Sequence, residues 1–241
     1  MAAFILKDGK FVLNGYDLSG FVRSMDLSLS TAEIDVTTID QDSIKKIGGL
    51  EDLSISAEGF FEAGVDKPDE LFGSNLGSNV NFAVAADNGK GNSAYFGGGL
   101  ETSYSIFGAV GEAAPFQFNG SGTETKHVKG TIEDPGTTAI TANANTTGFE
   151  LGAVTSSQKL YAAIFVFTPS GTSPTLDVKV QSDDNSSFTS ATDRITFTQA
   201  TGKTSEIKTA DGAITDTHYR FNYTVGGSTP NFTLFGIIGK R

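Results

Sequence analysis

YDLSGFVRSMDLSLSTAEIDVTTIDQDSIKKIGGLEDLSISAEGFF, residues 16–61, carries the clearest secondary-structure signal in the chain. Leu53, Ile55, Ala57, Gly59 and Phe61 alternate with Asp52, Ser54, Ser56, Glu58 and Phe60. A period of two sends successive side chains to opposite faces, so this is a half-buried strand. Met25, Leu27 and Leu29 alternate with Asp26, Ser28 and Ser30 in the same way. Ile34, Val36 and Thr38 then alternate with Asp35, Thr37 and Ile39, after a break or bulge at residues 30–33. Residues 40–50, DQDSIKKIGGL, are polar and contain glycine, which reads as an exposed loop between two strands.

The flanking sequence is also β. Phe4-Ile5-Leu6 and Phe11-Val12-Leu13 are short strands, and Asp8-Gly9 and Asn14-Gly15 are hairpin turns. Residues 66–76 predict one short helix, with Asp66 as cap, Pro68 in the first turn and acids near the start. Strands follow at 80–86, at 93–107 with an interruption at Gly97-Gly98-Gly99, and at 115–119. The second half reads as a strand series. Residues 160–167 are nearly all apolar and predict a central strand buried on both faces. Further strands are expected near 176–180, 195–199, 204–209, 219–225 and 232–238.

These patterns predict an all-β chain of two domains, residues 1–130 and 131–241. The first is a β-sandwich or barrel with one short helix and a long loop. The second is a β-sandwich of immunoglobulin-like or jelly-roll type. The boundary is placed near 130 because residues 130–148 are rich in Thr, Ala, Asn and Gly. That stretch is either a linker or a weak first edge strand.

Charge separates the halves. Residues 1–130 hold 18 Asp and Glu against 9 Lys and Arg, net −9, while residues 131–241 hold 10 against 8, net −2. Tight sequence-independent binding of nucleic acid needs clustered cations, and the sequence shows none. An acidic surface instead repels phosphates.

The sequence offers little for catalysis. Cys is absent, which excludes disulfides and thiolate metal sites and suits a reducing cytoplasm. Residues 1–11 lack a signal-peptide pattern, and no apolar run has the length of a spanning helix. His127 and His218 stand in different halves without a second His at ligand spacing. No G-x-S-x-G elbow surrounds a serine, and the glycines at 97–99 and 226–227 lack the context of a phosphate loop, reading as turns or bulges. Asp183-Asp184-Asn185 offers oxygen ligands, but strand loops of this kind are common. Neither an enzyme nor a cofactor is expected.

Residues 16–63 resemble the tail tube proteins of siphophages. The likeness rests on Tyr-Asp-Leu-Ser at 16–19, Asp-Val-Thr-Thr-Ile at 35–39, Gly-Gly-Leu at 48–50 and the alternating strand at 54–61. It extends in ordered pattern over about residues 4–125. It implies a structural protein of the virion, assembled in the host cytoplasm. Its subunits would form hexameric rings whose sheets join into an inner barrel, stacked as a tube through which DNA passes without specific binding. The partners implied are copies of the same chain and other phage tail proteins, with no membrane. The loop of Asp40, Gln41, Asp42, Ser43, Ile44, Lys45, Lys46, Ile47, Gly48 and Gly49 would reach a neighbouring ring or subunit. Asp26, Asp52, Glu58 and Glu62 are the candidate acids of the lumen on alternation grounds. The second half would be an accessory domain outside the tube.

Two other readings share the fold class. One is an adhesion module, with a host-surface glycan bound by Tyr219, Phe221, Tyr223 and Phe232 of the second half. The alternation of Phe221 and Tyr223 equally fits a core. The other is a capsid decoration or baseplate protein, which fold alone does not separate from a tube protein.

Overall fold

The computed structural model describes residues 8–123 and 127–241. The expected strand at Phe4-Ile5-Leu6 lies outside the described residues. Asn14 and Gly15 both take positive φ, 49° and 82°, as a two-residue hairpin turn requires. They join β1 (Lys10–Leu13) to β2 (Tyr16–Asp17). Next come the long pair β3 (Val22–Asp35) and β4 (Lys46–Phe60), then α1 (Pro68–Asn75). β5 (Asn79–Ala85), β6 (Ser93–Ile106) and β7 (Pro115–Gly122) complete the first half. The second half begins with β8 (Val128–Pro135), β9 (Ala144–Asn145), β10 (Phe149–Glu150) and β11 (Lys159–Val166). It continues through β12 (Ser170–Asp183), β13 (Thr192–Thr196), β14 (Thr204–Asp211), β15 (His218–Asn231) and β16 (Leu234–Lys240).

The all-β expectation holds, with one short helix among the described residues. The larger sheet runs β14-β11-β16-β8-β6-β5-β1-β2, and β7, β4 and β3 branch from β6. The smaller sheet runs β10-β15-β12-β13, with β9 also on β15. The branch lies in β6 itself. Residues 93–96 pair with β8, whereas residues 99–106 pair with β7. Gly97-Gly98-Gly99 stands at this switch, so it does not interrupt the strand as expected. A β-carbon on Gly97 would meet the backbone of His127 at 3.2 Å, so the chain approaches closely there. The actual bulge is between Glu101 and Ser103.

Three cores stack through the molecule. The first packs β1, β4, β5 and β7 under α1, where Phe72 stacks on Phe118 at 4.8 Å. The second core is shared: Val12, Ala83 and Phe96 meet Ala163, Phe165, Phe235 and Ile237 in a core drawn from both ends of the sequence. The last core lies between β11, β14 and β16 and the smaller sheet. β11 serves two cores, with Leu160, Ala162 and Ile164 on one face and Ala163 and Phe165 on the other. That is why its sequence is apolar throughout.

Residue 130 falls inside β8, which pairs with β6 on one side and β16 on the other. The larger sheet therefore crosses the expected boundary without a linker at that point. Only the β9 portion of the Thr-rich stretch forms a separate edge strand, on β15. Other expectations shift at element ends. β3 stops at Asp35, before Val36 and Thr38. Asp66 does not cap α1; the N-cap is Lys67, without a side-chain cap bond. Asp66 instead turns to Lys203 and to the Thr168 hydroxyl, which donates at 2.9 Å, and so ties the helix to the second half.

Gly59 is where β4 allows no side chain. A β-carbon there would lie 1.9 Å from the Phe21 carbonyl oxygen and 2.7 Å from the Phe116 ring. The same carbonyl accepts from Phe60 N at 3.0 Å. Gly59→Ala must therefore push the strands apart and is expected to cost about 3 kcal/mol or more. Urea denaturation checks this; an unchanged midpoint would contradict the packing.

Candidate functional site

The outer face of β3, β4, β7 and β6 is built from small polar and acidic residues in register. Ser24 pairs with Glu58, Glu58 with Gln117 and Gln117 with Ser105. In the next row Asp26 pairs with Ser56, Ser56 with Asn119 and Asn119 with Ser103. A third row is Ser28, Ser54 and Ser121. Each of these residues alternates with one that faces the core, including Met25, Leu27, Ile55, Ala57, Phe116, Phe118 and Tyr104. Strand periodicity thus separates a wet face from a dry one. The Asn119 side chain donates to Ser103 Oγ at 2.9 Å, which links neighbouring strands across the face.

The structure places three of the four expected acids on this face. Asp26 and Asp52 are exposed, and Glu58 is partly covered and meets Arg23 at 3.2 Å. Glu62 does not join them. β4 ends at Phe60, and Glu62 lies beyond it, paired with Lys67 at 2.5 Å. Gln117, Asn119, Ser103 and Ser105 complete the face and were missed by the sequence reading. Their alternation with Phe116, Phe118, Tyr104 and Ile106 was the available signal.

β3 and β4 continue past the rest of the sheet as a two-stranded arm. β4 pairs with β7 only from Ser54 onward. β3 pairs with no strand except β4, so its whole outer edge is unpaired among the described residues. With 14 residues in β3, the hairpin is about 45 Å long. Under the β3 edge the two layers open into a groove of about 700 Å³, lined by Met25, Leu27, Leu29, Val84 and Tyr95.

The loop at the arm's tip is shifted from its expected place and spans residues 36–45. Asp40 to Lys45 lie in it, but Lys46, Ile47, Gly48 and Gly49 belong to β4, the first three pairing with β3 and Gly49 lying at a shift in register. The pairing draws them into the hairpin: Ile47 lies opposite Ile34, and Lys46 forms an ion pair with Glu33. The tip is less polar on its surface than its composition suggests. Ile39 is fully exposed, Ile44 is 71% exposed and Leu50 is 87% exposed. Arg241 binds Glu51 and anchors the base of this region to the end of the chain.

A second set of exposed apolar residues lies at the opposite end of β4. Phe60 is half exposed, and Phe107 packs edge-on against Phe61 at 5.5 Å with most of its own ring in solvent. Phe107 takes φ 74°, an unusual conformation for a bulky residue, and the adjoining Val110 is fully exposed. Behind α1, Glu101 is wholly buried, and neither carboxylate oxygen has a hydrogen-bond partner among the described residues. Burial pushes its carboxyl up to about 7. Tyr104 lies near it, pushed up to about 12 by burial and by the charges of Asp69 and Glu101.

The aromatic residues suggested for a glycan platform are in the core: Tyr219, Phe221, Tyr223 and Phe232 are all buried. Asp183 uses its oxygens within its own loop, accepting from Ser190 N at 2.7 Å and from the Asn185 side chain at 3.1 Å. Among the described residues no group of three or more His, Cys, Asp and Glu is placed to hold a metal ion. No helix among them is long and apolar enough to cross a membrane.

No protein-family model matches the chain, and no curated protein matches it by sequence. Likeness to solved structures is weak overall. A chain from the tail of an empty gene transfer agent particle with C6 symmetry matches at TM-score 0.36 and 18% identity, covering 44% of this chain and 81% of that one. A chain from the virion of a native gene transfer agent particle matches at TM-score 0.38 and 18% identity, covering 49% and 95%. The Dit protein of SPP1, described as a hub of the adsorption apparatus in phages infecting Gram-positive hosts, matches at TM-score 0.32 and 13% identity, covering 98% and 100%.

Proposed function

We propose that this protein is a structural subunit of the virion, the tail tube protein of a long-tailed phage. Copies join edge to edge into hexameric rings, rings stack into a tube, and the polar sheet face lines the conduit for DNA. Other tail proteins cap the ends, and β9–β15 and their neighbours lie on the outside. The resemblance at residues 16–63 motivates this reading.

The observation that carries it is the outer face of β3, β4, β7 and β6. This is a broad surface of hydroxyl, amide and carboxylate groups with two open edges. One is the outer edge of β3, and the other is the last part of β6, where β5 pairs only as far as Leu100. Pairing part of β3 of one copy with that part of β6 in the next extends the four strands into a closed barrel, covering the short β6 edge and a matching length of β3. A strand added beside β3 would also cover the groove under Met25 and Leu27. Head-to-tail pairing of unlike edges closes into rings. Once closed, the barrel presents Asp26, Asp52 and the serine rows to DNA. Arg23, the cation on β3, is tied to Glu58. Such a lining repels phosphates and offers them no cluster of cations.

The test is charge reversal on that face. Assemblies carrying Asp26→Lys and Asp52→Lys are expected to retain DNA in a low-salt sedimentation assay and release it as salt rises. Wild-type assemblies are expected to retain none. Variant assemblies of normal form that ignore DNA would place the face away from the DNA path.

A further inference from the structure

The groove under β3 joins two features that call for the same occupant. Its lining is largely apolar: Met25, Leu27 and Leu29 come from β3, Val84 from β5 and Tyr95 from β6. Leu29 is 42% exposed. Beside the groove runs the outer edge of β3, unpaired among the described residues. An open edge offers a row of main-chain donors and acceptors, and an apolar trough takes alternate side chains. An extended segment satisfies both at once.

The described chain begins at this groove. Asp8 forms a bridge with Asp87, one of the groove residues, and its carbonyl accepts from Asn88 N at 3.0 Å. Gly9 shares a recess of about 130 Å³ with Arg23, Ser24 and Met25. Traced backward from Gly9 to Asp8, the chain therefore moves from the start of β3 to the groove. Residues 1–7, MAAFILK, come before Asp8. Fully extended, seven residues reach about 23–25 Å. Met25 to Leu29 spans only about 13 Å along β3, so the segment is long enough to follow it. Its chemistry also matches. Phe4, Ile5 and Leu6 are apolar, and Lys7 is its one charged side chain. The groove has two acids, Asp26 and Asp87, against one cation, Lys129.

We propose that residues 1–7 of the same chain lie along β3 as an added antiparallel strand, with Phe4 and Leu6 seated in the groove. Alternation then sends Ile5 and Lys7 to the side of Asp26. The antiparallel sense follows from the backward trace, which runs in the direction of β3. The occupant is this chain's own segment because Asp8 tethers it at the groove, at a millimolar effective concentration for so short a link. The added strand covers part of an edge that would otherwise pair with other chains. In the tube reading the segment yields whatever length of β3 the next copy's β6 takes. Docking in the unassembled chain does not depend on that reading.

The natural absence of Cys makes cross-linking a clean test. Leu6→Cys is combined with Met25→Cys or with Leu27→Cys and oxidised mildly in dilute solution, where the chain is unassembled. At least one pair is expected to close within a single chain and migrate as a monomer, because a disulfide needs α-carbons within about 7 Å. Leu6→Cys with Ser186→Cys, in an exposed loop of the second half, should stay open. Amide exchange by NMR on the otherwise unaltered chain serves if a cysteine variant does not fold. Phe4 to Lys7 should exchange at least about tenfold more slowly than in a free peptide, and Phe4→Asp with Leu6→Asp should abolish that protection. The proposal is overturned if residues 4–7 exchange at free-peptide rates or if neither groove pair closes. It is equally overturned if the pairs close only between chains, which would give the groove to another copy, or if the Ser186 control closes as readily.

Discussion

Ile39→Asp combined with Ile44→Asp is expected to leave the fold intact and abolish assembly. Both residues lie at the tip of the arm with their side chains in solvent. They contribute no core, so thermal melting should change little. In the tube reading, however, these side chains are buried against a neighbouring copy. A buried aliphatic side chain is worth about 1.5–3 kcal/mol, and an unpaired charge in its place adds a desolvation penalty. Applied to every subunit, such a loss is large enough to make assembly all or none. Sedimentation velocity of the double variant should show unassembled chain at concentrations where wild type forms large particles. Normal assembly by the variant would remove the tip from the interface.

The second large effect concerns Glu101. Its folded pKa of about 7 lies above its ordinary value of 4.5, because the buried carboxyl has no compensating partner. The folded state therefore binds the proton more tightly than the unfolded chain does. Its stabilising contribution is complete below about pH 4.5 and is lost as pH rises through about 7, after which the dependence is flat. The loss is about 3 kcal/mol over that window. Glu101→Leu removes the titrating group and is expected to flatten this part of the profile while raising stability above pH 7. Several other carboxyls act below this window. Asp193 and Asp216 are held low, chiefly by hydrogen bonds from Lys179 and Ser182 respectively, and they favour the folded state once ionised. Asp134 is raised by burial and also contributes to a falling profile. The difference between wild type and Glu101→Leu isolates one group. Urea midpoints measured from pH 4 to pH 9 check it, and parallel profiles for the two proteins would contradict it.

Much of the fold is readable because strand periodicity is local. The alternation at Asp52 to Phe60 identifies β4 and its wet face directly, and the unbroken apolar run at 160–166 identifies a strand covered on both sides. What the sequence hides depends on partners far away in the chain. Gly97 to Gly99 resembles a break, yet it permits β6 to leave β8 and join β7. Residues 130–135 look like the start of a linker, yet they pair with β16 about a hundred residues later. Lys46 to Gly49 look like loop because Gly and Lys have low strand propensity, but pairing with β3 overrides that preference. Glu101 and Glu133 give no sequence signal of burial. Each sits at a strand irregularity, where the simple period of two fails.

The most direct test of the central claim is electron microscopy of the concentrated, purified protein. The account predicts rings or stacked tubes with an open lumen, and a reconstruction in which β3, β4, β7 and β6 face that lumen. A chain that stays monomeric at every concentration, or a particle with this sheet face turned outward, would contradict it.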